Sequence, residues 1–112
     1  LFSKDIPKVV LGTNGQALYF SRSPIPYIRD IPSKEWLSNH QYYKHIGLYG
    51  YKRETLLEIA ELAPSPLEKA ESLEQLRWLE SGIKIATNRT LFDSYSIDTP
   101  QDIENLRAKE II

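Results

Sequence analysis

Asn14-Gly15 stands between two short apolar runs, Lys8-Val9-Val10-Leu11 and Ala17-Leu18-Tyr19-Phe20. That dipeptide tolerates the positive φ angles of a tight turn, so the two runs are predicted to pair as a β-hairpin. The chain then enters Ser21 to Pro32, which carries Pro24, Pro26 and Pro32. Proline lacks an N–H and fixes φ, so this stretch is predicted to be extended and irregular. Residues 33–43 are mostly polar, with Trp36 and two tyrosines, and read as a surface loop or lid.

His45 to Tyr51 has the composition of a third strand. Alternation would put His45, Gly47, Tyr49 and Tyr51 on one face, with Ile46 and Leu48 on the other. Gly47 adds no side chain, which would leave a gap about 13 Å long between His45 and Tyr49. An elongated polar ligand fits such a gap, and so does a neighbouring strand or side chain.

Leu56, Leu57, Ile59, Ala60 and Leu62 give Arg53 to Ala63 a helical period, ended by Ala63-Pro64-Ser65-Pro66. Ser65 can cap a second helix, with Pro66 in its first turn and Glu68 completing a capping box. That helix is predicted to run to Ser81 and stop at Gly82. Leu73, Leu76 and Leu79 form its apolar stripe, while Glu71, Glu74 and Gln75 share an arc on the other side beside Leu67 and Trp78. This arc is either partly desolvated, and then in need of polar partners, or an ordinary solvated face. Ile83 to Thr87 and Ser94 to Ile97 read as strands. Thr99, Pro100 and Asp102 open a last helix as N-cap, N1 and N3. Asp98 precedes that cap at a strand end, where ligands gather in open α/β sheets; a second capping carboxylate is the alternative.

At 112 residues the chain suits one domain, and 41% hydrophobic with 26% charged residues is a globular composition. A net charge of -1 disfavours a nucleic-acid binder. Residues 1–53 nevertheless hold eight Lys or Arg against three Asp or Glu, and residues 54–80 hold two against seven. Either the two segments face each other or solvent, or the basic half meets an anion. No apolar run approaches the roughly 18 residues of a membrane span, and no signal peptide opens the chain. The absence of Cys removes disulfides and thiolate chemistry and fits a cytoplasmic protein. His40 and His45 are the only histidines, so a His-based metal site is not expected. Phosphate-loop, His-Glu-x-x-His and Gly-x-Ser-x-Gly motifs are all missing. With no Met and a leucine at position 1, the chain is expected to be a segment of a longer protein.

Four blocks in order carry a resemblance: Ala17 to Pro26 followed by Arg29, Lys44 to Tyr51, Ser65 to Arg77, and Asp98-Thr99-Pro100-Gln101-Asp102. Together they resemble the CMP-Kdo synthetase family, the 3-deoxy-manno-octulosonate cytidylyltransferases, over nearly all of the chain. The resemblance implies an α/β fold, part of a nucleotide-diphospho-sugar transferase-like three-layer architecture with a mixed sheet and helices. It implies transfer of CMP from CTP to the anomeric oxygen of the sugar acid Kdo, with Mg²⁺ and release of pyrophosphate. Such enzymes are cytoplasmic homodimers serving lipopolysaccharide synthesis, without nucleic-acid or membrane partners.

Carried over residue by residue, Arg22 and Arg29 match positions that hold the anionic sugar. His45 and Tyr49 match sugar contacts, Glu74 and Gln75 match binders of sugar hydroxyls, and Asp98 matches a catalytic, magnesium-binding aspartate. The chemistry is apt: an Arg fork suits a carboxylate, and Glu and Gln suit vicinal hydroxyls. Magnesium prefers few carboxylates together with phosphate and water oxygens. The family's N-terminal half, with its CTP loop and second metal-binding aspartate, has no counterpart here, so residues 1–112 are expected to form a C-terminal portion that is inactive alone. Ser96 departs from the family's usual Gly. Alternatives are a cytidylyltransferase for another acidic sugar such as sialic acid, or a non-catalytic dimerisation or sugar-binding module.

Overall fold

The structure, a computed structural model, describes residues 1–91 and 99–109. The predicted hairpin forms: β1 (Lys8–Leu11) pairs antiparallel with β2 (Ala17–Ser21). Gly15 takes φ +79°, and the Asn14 side chain accepts a hydrogen bond from the Gln16 amide at 3.0 Å. This is the local chemistry that an Asn-Gly turn requires. Val10 faces Tyr19 and Leu11 faces Ala17, so Leu18 is an unpaired bulge residue that points out to solvent.

On its other side β1 pairs with β3 (Tyr43–Lys44), giving the antiparallel order β2-β1-β3. Here the expected strand from His45 to Tyr51 is corrected, because regular pairing ends at Lys44. The cause is Pro7. Its carbonyl accepts from the His45 amide at 2.9 Å, but proline has no N–H to return the bond and the ladder stops. Ile83 to Thr87 is likewise not a full strand; it makes one antiparallel bridge, Ala86 to Gln16. Around that bridge the Ala17 amide donates to Ile85 O at 2.8 Å and the Thr87 amide to Gly15 O at 3.1 Å. The strand expected at Ser94 to Ile97 lies outside the described residues.

Residues 33–43 are not a free loop or lid. A 3₁₀ turn (Ser33–Glu35) leads into α1 (Trp36–Asn39), and Trp36 is buried. Its indole N–H donates to Ile31 O at 2.9 Å, and its ring stacks on Tyr42 and meets Tyr27 edge-on. One aromatic side chain thereby anchors the proline-rich segment.

Helix α2 (Arg53–Ala60) follows the predicted period and ends slightly early. The predicted long helix is instead two short ones, α3 (Pro66–Glu71) and α4 (Gln75–Glu80). Ser72 between them adopts the left-handed conformation, φ 54° and ψ 46°. Both ends match expectation: Ser65 and Glu68 form a capping box, and Gly82 has φ +83°. Arg77 clamps the elbow from α4 with a bidentate pair to Glu68, at 2.7 and 2.6 Å. Leu73 and Leu76 bury against Val9, Ala17 and Phe20, so the core lies between the hairpin and the elbow. Helix α5 (Pro100–Ala108) begins at the predicted N-cap Thr99, which forms a capping box with Asp102, and buries Leu106.

Candidate functional site

The helix break places Glu71 at the end of β2. Tyr19 and Ser21 are two apart on that strand, so they share a face. Tyr19 Oη donates to Glu71 Oε2 at 2.8 Å, and Ser21 Oγ to Glu71 Oε1 at 2.6 Å. The Arg22 amide donates to the same oxygen at 2.8 Å. Burial pushes the Glu71 carboxyl up, but bonds from Ser21, Arg22 and Tyr19, with the Arg22 charge, outweigh it and hold the group below the usual carboxylate range. Burial, together with the hydrogen bond to Glu71 and the charges of Glu71 and Glu80, pushes the Tyr19 hydroxyl up to about 12.

Arg22 closes this node from the other side. Its Nε donates to Glu71 O at 2.6 Å, Nη2 to Ser72 O at 3.1 Å and Nη1 to Lys4 O at 3.0 Å. The guanidinium thus caps carbonyls released by the helix break. Three of its five N–H groups are used, leaving one on each terminal nitrogen for a further acceptor. The backbone of Arg22 is also held, its carbonyl accepting from Lys8 Nζ at 2.8 Å. Burial first, and then the Arg22 charge, lower the pKa of that buried lysine.

A second group gathers around Trp78. After His45 the chain bends, with the Leu48 amide donating to Ile46 O at 2.8 Å, and Tyr49 Oη comes to 2.6 Å from His45 Nε2. The 13 Å gap expected between these two side chains is therefore closed, because residues 45–51 are not a flat strand. Tyr49 and Tyr51 both meet Trp78 edge-on, with centroids 4.9 and 5.7 Å away. His45 packs edge-on against Phe20 at 5.1 Å. Burial lowers the His45 pKa and raises that of Tyr49, the latter helped by Tyr51 and the Glu74 charge. At neutral pH both groups are therefore uncharged, and the imidazole tautomer sets which of them donates in their shared hydrogen bond. His45, Tyr49, Tyr51, Trp78, Phe20 and Ile85 line a cavity of about 1320 Å³.

Glu74 and Gln75 no longer share the arc expected of one long helix with Glu71. The elbow turns Glu71 toward β2, leaves Glu74 exposed and buries Gln75. Among the described residues, Gln75 Nε2 and Trp78 Nε1 are buried donors without an acceptor. Such groups are uncommon and costly, and both lie on α4. Arg29 stands apart in the proline-rich segment, highly exposed, with Nε 3.4 Å from the Asp30 carboxylate. Asp98 lies outside the described residues. Among the described residues no group of three or more His, Cys, Asp or Glu is placed to hold a metal ion, and no helix is long and apolar enough to cross a membrane.

Sequence reasoning missed the Glu71 node. Its one sequence signal is the polar Tyr19-x-Ser21 alternation on a strand whose other residues are apolar. The break at Ser72 had no Gly or Pro to announce it.

A family model described as Cytidylyltransferase matches residues 1–85. The 3-deoxy-manno-octulosonate cytidylyltransferase of Parabacteroides distasonis is 56% identical over 108 residues, covering 96% of this chain and 43% of that protein. The protein of the same name from Cytophaga hutchinsonii is 53% identical over 104 residues, covering 92% of this chain and 42% of its own length. A solved structure of CMP:2-keto-3-deoxy-manno-octonic acid synthetase complexed with CTP superposes with a TM-score of 0.82 at 42% identity, over 96% of this chain and 42% of that one. The chain thus spans about two-fifths of the length of these relatives. The match confirms the expected α/β fold of the nucleotide-sugar transferase type. Family model, relatives and superposed structure agree, and the chain belongs to the cytidylyltransferase family.

Proposed function

We propose that residues 1–112 are the sugar-binding portion of a longer 3-deoxy-manno-octulosonate cytidylyltransferase. In that reaction the anomeric oxygen of the sugar acid bonds to the α-phosphorus of CTP. The bond from that phosphorus to the bridging oxygen breaks, pyrophosphate leaves, and the anomeric hydroxyl gives up its proton. The observation that carries the sugar assignment is Gln75, a buried amide whose Nε2 has no acceptor among the described residues, about one helical turn before Trp78 on α4. A polyhydroxylated ligand supplies such acceptors, and Glu74 offers it a carboxylate in return.

The two free N–H groups of Arg22 suit the sugar carboxylate, and Arg29 adds a second cation. His45 and Tyr49, already paired, contact hydroxyls. Asp98 is proposed as a ligand of Mg²⁺, which when bound polarises the α-phosphate. The CTP loop and the second metal carboxylate are proposed to lie in the part of the longer protein that corresponds to the uncovered length of the relatives. The complete enzyme is proposed to be a cytoplasmic homodimer in lipopolysaccharide synthesis. Exposed Leu18, Leu48, Leu56 and Leu57 give this portion apolar surface to be covered.

Pyrophosphate release from CTP by the full-length protein tests the reading. Release is expected with 3-deoxy-manno-octulosonate and not with sialic acid. The reverse preference would transfer the assignment to the sialic-acid branch. No release with either sugar would refute it.

A further inference from the structure

We propose that Glu71 is a positioning residue for the sugar acid, fixing the Arg22 guanidinium relative to Glu74 and Gln75, which follow Glu71 just past Ser72. This rests on the function proposed above. Glu71 touches none of the reacting atoms in that reading; it acts through what it holds.

The connections are short and all converge on one elbow. Its carboxylate takes three donors from successive parts of one strand end: Tyr19, Ser21 and the Arg22 amide. Its carbonyl, with that of Ser72, takes two N–H groups of Arg22. Arg22 is thereby gripped at amide, carbonyl and guanidinium, with Lys8 supplying the carbonyl bond. Three residues beyond Glu71, past the left-handed Ser72, come Glu74 and buried Gln75. Any rotation of the elbow moves the Arg22 fork and the Glu74-Gln75 pair against each other.

A neutral amide cannot replace this grip. A carboxylate has about four acceptor sites and no hydrogen, so it satisfies all three donors at once. A glutamine turns an N–H₂ group toward one of them and gives up the charge-assisted bonds. The residue that loosens is Arg22, whose two free N–H groups are the ones proposed to meet the sugar carboxylate.

The test uses the full-length protein and compares wild type with Glu71→Gln. Loss of charge-assisted bonds predicts a rise of about tenfold in KM for 3-deoxy-manno-octulosonate, with KM for CTP within about twofold of wild type. Equal rises in both KM values, or a lower melting temperature with both KM values unchanged, would show a purely structural staple and overturn the proposal. If Glu71→Gln does not fold, Tyr19→Phe and Ser21→Ala each remove one donor. Each is then expected to raise only the sugar KM, by about threefold. Wild type that makes no pyrophosphate with this sugar refutes the function and this proposal together. Wild-type turnover with an unmoved sugar KM in the variants refutes Glu71 alone.

Discussion

Tyr49 places its hydroxyl 2.6 Å from Nε2 of His45, four residues earlier, across a bend rather than along a strand. The contact ties the segment after β3 to Phe20 in the core on one side and to Trp78 on the other. Burial lowers the pKa of the imidazole and raises that of the phenol, so both groups of the pair are uncharged at neutral pH.

Acid is predicted to weaken the fold through His45. Its folded pKa lies below the ordinary value of 6.5, so on acidification the unfolded chain takes up the proton first. Stability is lost as pH falls from the unfolded value toward the lowered folded one. Melting temperatures at about pH 7.5 and about pH 5.5 should therefore differ more for wild type than for His45→Asn. Parallel pH profiles for the two proteins would contradict this.

Arg22→Lys is predicted to raise the sugar KM by about tenfold or more in the full-length enzyme, and the CTP KM far less. A lysine ammonium cannot both cap two carbonyls of the elbow and present a planar pair of N–H groups. Calorimetric titration with the sugar acid checks the same point without turnover, and unchanged affinity would leave Arg22 as a cap only.

Asp98→Asn is predicted to reduce turnover by about two orders of magnitude or more, because a neutral amide is a poor magnesium ligand. The N-cap of α5 is Thr99, whose capping box includes Asp102 and not Asp98. Circular dichroism of the variant should therefore match wild type. Near-normal turnover would remove Asp98 from the catalytic assignment.

Leu76→Ala is predicted to cost about 2–5 kcal/mol of stability, as measured by denaturant titration of the full-length protein. Leu76 is fully buried between the hairpin and the elbow, where the surroundings have little room to collapse. A loss below about 1 kcal/mol would place the main core elsewhere.

Elements governed by local chemistry were legible in the sequence. Asn14-Gly15 announced the hairpin, Ser65 its capping box, Thr99 the N-cap of α5, and Gly82 the end of α4. What escaped was decided by distant partners. Pro7 ends the pairing of β3 from across the sheet, and Ser72 turns left-handed while Arg22, fifty positions away in sequence, takes up the freed carbonyls. For the site, alternation puts His45 and Tyr49 on one face but about 13 Å apart, whereas the bend after His45 brings them into direct contact. Glu71 was assigned to the arc of Glu74 and Gln75, which a continuous helix would have required. Asp98 rests on its expected strand-end position and on the family resemblance, and lies outside the described residues.

The product formed by the full-length protein distinguishes a Kdo-activating enzyme from its alternatives. Phosphorus NMR of the full-length protein incubated with CTP, 3-deoxy-manno-octulosonate and Mg²⁺ reads it directly. The CTP resonances are expected to give way to pyrophosphate and a single phosphodiester, the CMP-linked sugar, with no phosphodiester when sialic acid replaces Kdo. Persisting CTP, or a phosphodiester formed only with sialic acid, would contradict it.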